Sequence, residues 1–176
     1  IKDITDDIYG NVLVATASGV VLRCNRQAAR FDTLSPFDNR DGTRLVRLVV
    51  ASSADIWVLT KHGLTLYAPR LNNTASWVNR PRLNEIVGRP QAIVEDELGN
   101  IWVGGTLGLA IIDLRAQAIS SFNLAAVGLS KNSSITALAK NGSSLIIGTS
   151  TGDLAVSDMN TKEPQVNIVV NENDIG

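Results

Sequence analysis

Short apolar runs alternate along the chain with polar, glycine-bearing turns, and the alternation recurs with a fixed period. Gly19, Gly63, Gly108 and Gly152 mark it at steps of 44, 45 and 44 residues. Three residues before each stands Thr16, Thr60, Gly105 or Thr149. An apolar run precedes each marker: Val12-Leu13-Val14, Ile56-Trp57-Val58, Ile101-Trp102-Val103 and Leu145-Ile146-Ile147. Another follows it: Val20-Val21-Leu22, Leu64-Thr65-Leu66, Leu109-Ala110-Ile111 and Leu154-Ala155-Val156. A further stretch opens each copy, at Ile4, Leu48-Val49-Val50, Ala92-Ile93-Val94 and Thr136-Ala137-Leu138. Self-similarity at one period across the whole chain is the signature of a repeat architecture.

Each repeat predicts four short strands. Strands one and two meet at a tight turn, as in Asp7-Ile8-Tyr9-Gly10-Asn11 and Asp96-Glu97-Leu98-Gly99-Asn100. There the Asp accepts backbone N–H groups and the Gly takes positive φ. A Thr-x-x-Gly hairpin leads into strand three, the marker glycine again supplying positive φ. Strand four is expected to carry a large residue twelve to fourteen positions after the marker: Phe31, Trp77, Phe122 and the smaller Val166.

The run Ile101-Trp102-Val103 lacks the polar alternation of a sheet with one wet face, so both faces need cover. No segment shows helical periodicity. Residues 125–140 come nearest, but Gly128, Ser130, Asn132, Ser133 and Ser134 break them. One sheet must therefore cover the next, which predicts an all-β fold: a β-propeller of four four-stranded antiparallel blades. The blades are expected at about residues 1–44, 45–89, 90–134 and 135–176. The competing repeat fold, a β-solenoid, has a repeat nearer 20–30 residues and fewer hairpins.

Gly99-Asn100-Ile101-Trp102-Val103-Gly104-Gly105, preceded by Ile93-Val94-Glu95-Asp96, resembles the two-component regulator propeller repeat. The fourth repeat is similar, from Gly128-Leu129-Ser130 through Ile135-Thr136 to Leu145-Ile146-Ile147-Gly148-Thr149 and Gly152. The first two depart from it, with Leu13 for the Trp and Ala54 for the turn Gly. The resemblance implies the periplasmic sensor region of a bacterial membrane receptor whose output domain is a histidine kinase or a diguanylate cyclase. It also implies a larger propeller of about seven blades and, as in characterised relatives, glycan-fragment ligands.

Composition narrows the alternatives. Aromatic residues are only 5% of the chain, so Val, Ile, Leu and Ala must build the core. The net charge of −1 gives no overall pull on nucleic acid, and no apolar run is long enough to insert in a membrane. The single cysteine, Cys24, rules out an internal disulfide framework. The opening at Ile1, already inside a repeat, is what a piece of a longer protein would show. Asn84-Glu85-Ile86-Val87-Gly88 before the third blade recurs as Asn173-Asp174-Ile175-Gly176, where a fifth blade would begin. The outer faces of the first and fourth blades should then be apolar. They are expected to be hidden by self-association or by the remaining blades of the parent protein.

Catalytic signals are poor, so the fragment reads as a non-enzyme with no cofactor and no metal. His62, the only histidine, sits in a turn and has no second His with which to bind metal. Cys24 has Arg23 beside it, but packing or a plain surface thiol is the simpler reading. Asp6-Asp7 and Asp96-Glu97 occupy turns where Asp caps backbone, and no Asp-x-Asp-x-Asp-Gly calcium loop is present. Trp57 and Trp102 belong to the core between blades, while Trp77, nearer the rim, is the better candidate to meet a ligand.

One charge pattern stands out. Between Asp38 and Arg89 lie eight basic residues against four acidic ones, +4, whereas residues 90–176 hold four against nine, −5. Most of the arginines fall in the connectors before the second and third blades. Arg pairs bidentately with carboxylate or phosphate, so Arg44, Arg80, Arg82 and Arg89, with Trp77, are the candidate site for an anionic saccharide. A solvated basic face that pairs with the acidic half of a neighbouring copy is the alternative. The functional expectation is ligand capture in a periplasmic sensor domain; a lyase-like propeller enzyme and a protein-assembly scaffold are the runners-up.

Overall fold

The computed structural model describes residues 1–25, 27, 29–34, 45–60, 63–69, 73–76, 81–130, 133–160 and 168–170. These form four four-stranded antiparallel sheets. The first sheet holds β1 (Asp3–Asp6), β2 (Val12–Ala15), β3 (Val21–Asn25) and β4 (Arg30–Leu34). The second holds β5 (Leu45–Val50), β6 (Ile56–Thr60), β7 (Gly63–Ala68) and β8 (Asn73–Ser76). The third holds β9 (Pro90–Glu95), β10 (Ile101–Gly105), β11 (Leu109–Asp113) and β12 (Ala118–Ser121). The fourth holds β13 (Ile135–Asn141), β14 (Ser144–Thr149), β15 (Leu154–Asp158) and β16 (Ile168–Val170). In every sheet sequential strands are neighbours, the meander of a propeller blade. Phe31 lies in β4 as expected, but Phe122 comes one residue after β12 ends. Trp77, Val166 and the Asn173–Gly176 connector lie outside the described residues.

Two helical segments correct the expectation of none. The helix α1 (Pro81–Val87) precedes the third blade, and a 3-10 turn spans Leu124–Val127. Seven residues are too few to show a period. Still, Leu83 and Val87 sit four apart on one buried stripe. Pro81 occupies the first helical position, where its missing N–H costs nothing. Gly88, at φ +62°, ends the helix and donates its N–H to the Asn84 carbonyl at 2.9 Å. The 3-10 turn opens with the Asn123 side chain accepting from Ala125 N and closes on Gly128 at φ 75°.

The chain divides into two units, residues 1–79 and 80–176. In the first, Leu13, Ala15 and Val21 of blade one pack on Leu48, Ile56, Val58 and Tyr67 of blade two. Asp3 links the same two sheets: its carboxylate accepts from Leu48 N at 2.7 Å and lies 3.4 Å from the Arg47 guanidinium. In the second unit, Trp102, Leu109 and Leu124 of blade three pack on Leu145, Ile147, Ala155 and Met159 of blade four. The Trp102 ring meets Phe122 edge-on, centroids 5.4 Å apart.

Burial follows blade position. Ile56–Leu59 of β6 and all of β10 are buried. By contrast β2 and β14 alternate buried and half-buried residues. The residues of β2 that meet blade two are the buried ones, and the same holds for β14 towards blade three. Blades one and four therefore each carry one closed face and one open one.

The marker glycine serves two kinds of turn. In blades one and four it is the third residue of a three-residue loop, at φ 83° and 87°. There Thr16 N bonds Val20 O, and Thr149 N bonds Asp153 O. In blades two and three the loop has two residues, and Gly63 and Gly108 pair in the ladder with φ 149° and 159°. Between strands one and two, Ala54 holds the left-handed conformation, φ 71°, that Gly10 and Gly99 hold elsewhere.

Blades three and four approach closely at Gly104. A Cβ built there would stand 2.5 Å from Ile135 Cγ2, itself fully buried. At Gly10, with φ +77°, nothing lies within 4 Å. Gly104→Ala is expected to cost roughly 2 kcal/mol by overpacking, and Gly10→Ala about 1 kcal/mol by backbone strain alone. Urea denaturation of both variants checks the order; a Gly104→Ala protein as stable as the parent would contradict this packing.

Candidate functional site

The second unit carries an open cavity of about 430 Å³ beside α1. That volume falls within the ~300–1,000 Å³ of ordinary small-molecule sites. Arg82, Glu85 and Ile86 of α1 form one wall, Leu107 to Leu109 another, and Ser121 to Leu124 the third. Leu109 and Leu124 are buried and Phe122 is half-buried, so the floor is apolar. Arg82, Glu85, Ser121 and Asn123 are exposed and set polar groups at the rim. Arg82 stands 3.7 Å from Glu85 one helical turn on, both more than 60% exposed, a pairing that water weakens.

The wall that carries Arg82 is fixed to blade three through backbone. Thr106 N donates to Arg89 O and Leu107 N to Val87 O, both at 3.1 Å, and Arg89 N donates to Thr106 Oγ1 at 3.0 Å. Gly105 permits this approach, since a Cβ there would lie 2.6 Å from the Arg89 carbonyl oxygen. A connector that would otherwise be a free loop thus becomes a rigid support for α1.

Of the five arginine and tryptophan candidates, Arg82 lies at the cavity. Arg89 is exposed and does not line it. Arg44, Arg80 and Trp77 lie outside the described residues, as does His62. Leu107, Ser121, Phe122 and Asn123 belong to the cavity without any charge or motif to announce them. Phe122 alone has a signal, its spacing from the marker glycine, and that spacing predicts a strand residue.

The other candidates have structural roles. Asp7 accepts from Tyr9 N, Asn11 N and Asn11 Nδ2 at 2.8–2.9 Å. Asp96, only 4% exposed, repeats this with Leu98 N, Asn100 N and Asn100 Nδ2, and adds Trp102 Nε1 at 2.9 Å. The carboxylate thus caps the turn and anchors the indole of the inter-blade core; blade one has Leu13 at that position and no such bond. Trp57 and Trp102 are both buried. Cys24 is half-buried in β3, opposite Val12 and Phe31, while Arg23 stands 3.7 Å from Asp32.

No family model and no curated relative matches this sequence. Solved structures do. The extracellular domain of a protein described as a hybrid two component system from B. thetaiotaomicron shares 18% identity at a TM-score of 0.68, over 94% of this chain and 24% of that one. A second such domain from the same organism shares 18% identity at 0.71, over 97% and 24%. Virginiamycin B lyase from Staphylococcus aureus shares 14% at 0.62, over 92% and 56%. At these identities the likeness shows the β-propeller fold, on which both sensor domains and an enzyme are built. The chain spans about a quarter of the length of the two extracellular domains. Among the described residues no helix is long and apolar enough to cross a membrane.

The two aspartates separate by burial. Asp96→Ala strands four donors, one of them a buried indole N–H, and is expected to cost roughly 3 kcal/mol. Asp7→Ala, at a turn whose donors reach water, should cost about 1 kcal/mol. Thermal melts of the two variants test this, and equal losses would refute the assignment of Asp96 to the core.

Proposed function

We propose that this chain is a recognition segment of a periplasmic sensor propeller, and that it captures a small anionic ligand, an acidic saccharide unit, in the cavity beside α1. The observation that carries the reading is the make-up of that cavity. An apolar floor of Leu109, Phe122 and Leu124 lies under a guanidinium, a carboxylate, a hydroxyl and a carboxamide. A sugar ring presents C–H faces to such a floor and hydroxyls to such a rim. Arg82 offers two parallel donors to a carboxylate, which would displace the loosely held Glu85. The extracellular domains of two component systems among the structural neighbours support the setting and a separate output domain, a histidine kinase or diguanylate cyclase, and the fourfold greater length of those extracellular domains supports further blades.

The mechanism follows from the support. A ligand touching both Arg82 on α1 and the Ser121–Asn123 segment would tie the connector to the outer strand of its blade. Any difference in how the connector sits with and without ligand becomes a population shift in the protein that contains it.

Calorimetric titration with an oligogalacturonate and with a neutral oligosaccharide of equal length tests the proposal. Binding of the acidic sugar alone is expected, with Arg82→Ala weakening it at least about tenfold, ~1.4 kcal/mol, and Arg89→Ala changing it little. Binding that survives in a protein carrying both Arg82→Ala and Asn123→Ala would place the ligand elsewhere and end this reading.

A further inference from the structure

Leu107 breaks a pattern at the edge of the cavity. It is the residue before the marker glycine, and the other three repeats place a polar residue there: Ser18, His62 and Thr151. Two of those side chains tie their own loops together. Ser18 Oγ lies 2.9 Å from Thr16 Oγ1, while Thr151 Oγ1 lies 2.8 Å from Thr149 Oγ1 and donates to Asp153 at the same distance. A leucine can make no such bond, and Leu107 is 59% exposed where it lines the cavity. Its place is nevertheless set. Leu107 N donates to Val87 O at 3.1 Å, at the end of α1. Gly88 clears the space beside it, since a Cβ there would stand 2.7 Å from Leu107 Cγ. Ile86, half-buried on the last turn of the same helix, borders the cavity as well.

Arg82 lies towards the other end of that helix. From Arg82 to Val87 is five residues, about 7.5 Å along α1 at the helical rise. The cavity thus has a cationic end and an apolar end, further apart than one carboxylate or phosphate can span. We propose that its ligand is a uronic acid glycosidically linked to an apolar group, and that Leu107 selects for that group. The inference rests on the acidic-saccharide reading of the cavity and adds a second point of recognition to it. The carboxylate pairs with Arg82, the ring covers Leu109, Phe122 and Leu124, and the apolar group covers Leu107 and Ile86. Covering an exposed leucine removes apolar surface from water, which favours binding in proportion to the area covered. Because the backbone bonds already hold Leu107 in place, little ordering is left to oppose that gain.

Phenyl glucuronide, methyl glucuronide and phenyl glucoside separate the two contacts when titrated calorimetrically into the whole chain. Phenyl glucuronide should bind at least about tenfold more tightly than methyl glucuronide. Leu107→Ser, which gives blade three the side chain that blade one carries, should abolish that preference, and Leu107→Met should keep it. Methyl glucuronide should bind the Leu107→Ser protein as it binds the parent, which also shows that the site is intact. Arg82→Ala should weaken both glucuronides at least about tenfold and leave the phenyl preference in place. Equal binding of the two glucuronides, or a phenyl preference that survives Leu107→Ser, overturns this inference and leaves the acidic-saccharide reading standing. So does a chain that binds oligogalacturonate but neither glucuronide. Phenyl glucoside binding as tightly as phenyl glucuronide overturns both, because the carboxylate then contributes nothing.

Discussion

The close approach of one small sheet to the next sets nearly everything else in this molecule. Where β10 and β13 meet, the space leaves no room for a side chain at Gly104, and the fully buried Ile135 fills what is there. Side chains on both partners must be small or branched, which explains a core of Val, Ile, Leu and Ala with two buried indoles as its large pieces. Polar groups at such a seam need partners of their own. Asp3 meets this by taking Leu48 N across the blades, and Asp96 by holding the Trp102 indole. Ser157 Oγ is the one buried side-chain oxygen or nitrogen without a partner among the described residues.

The same constraint separates scaffold from site. Residues facing another blade are committed to packing, so chemistry is left to what hangs outside the stack. In the second unit that is α1, the 105–108 turn and the segment after β12. Their mutual backbone hydrogen bonds hold the end of α1 and residues 88–89 against the 105–108 turn. The cavity exists because α1 packs Leu83 and Val87 inward and thereby turns Arg82 and Glu85 outward.

Much of the fold was legible because its causes are local. The Asp-to-Asn turn, the marker glycines and the uniformly apolar Ile101-Trp102-Val103 each name a conformation within a few residues. Two-sided burial was legible for blade three and proved one-sided at β2 and β14, since a run of Val and Leu reads alike whether a neighbour is present or absent. The helix α1 was missed because one buried stripe of two residues carries no periodicity. The cavity was only touched, through Arg82, because Leu107, Ser121 and Asn123 converge by tertiary geometry and share no spacing. Arg89 shows the converse: its charge drew notice, yet what it contributes is its backbone, bonded to Thr106.

The unequal loops after strand two have an effect that reaches beyond the turns. Leu22 and Leu66 stand 44 residues apart, three after their respective glycines, and any alignment of the repeats places them in one column. Yet Leu22 sits opposite Val14 on the open side of its blade, while Leu66 sits opposite Trp57 on the side away from blade one. One added loop residue inverts every later side chain in the sheet. A consensus sequence averaged over these columns would therefore mix inward with outward preferences along strands three and four. Engineering an idealised array from this chain calls for sorting the copies by loop length first.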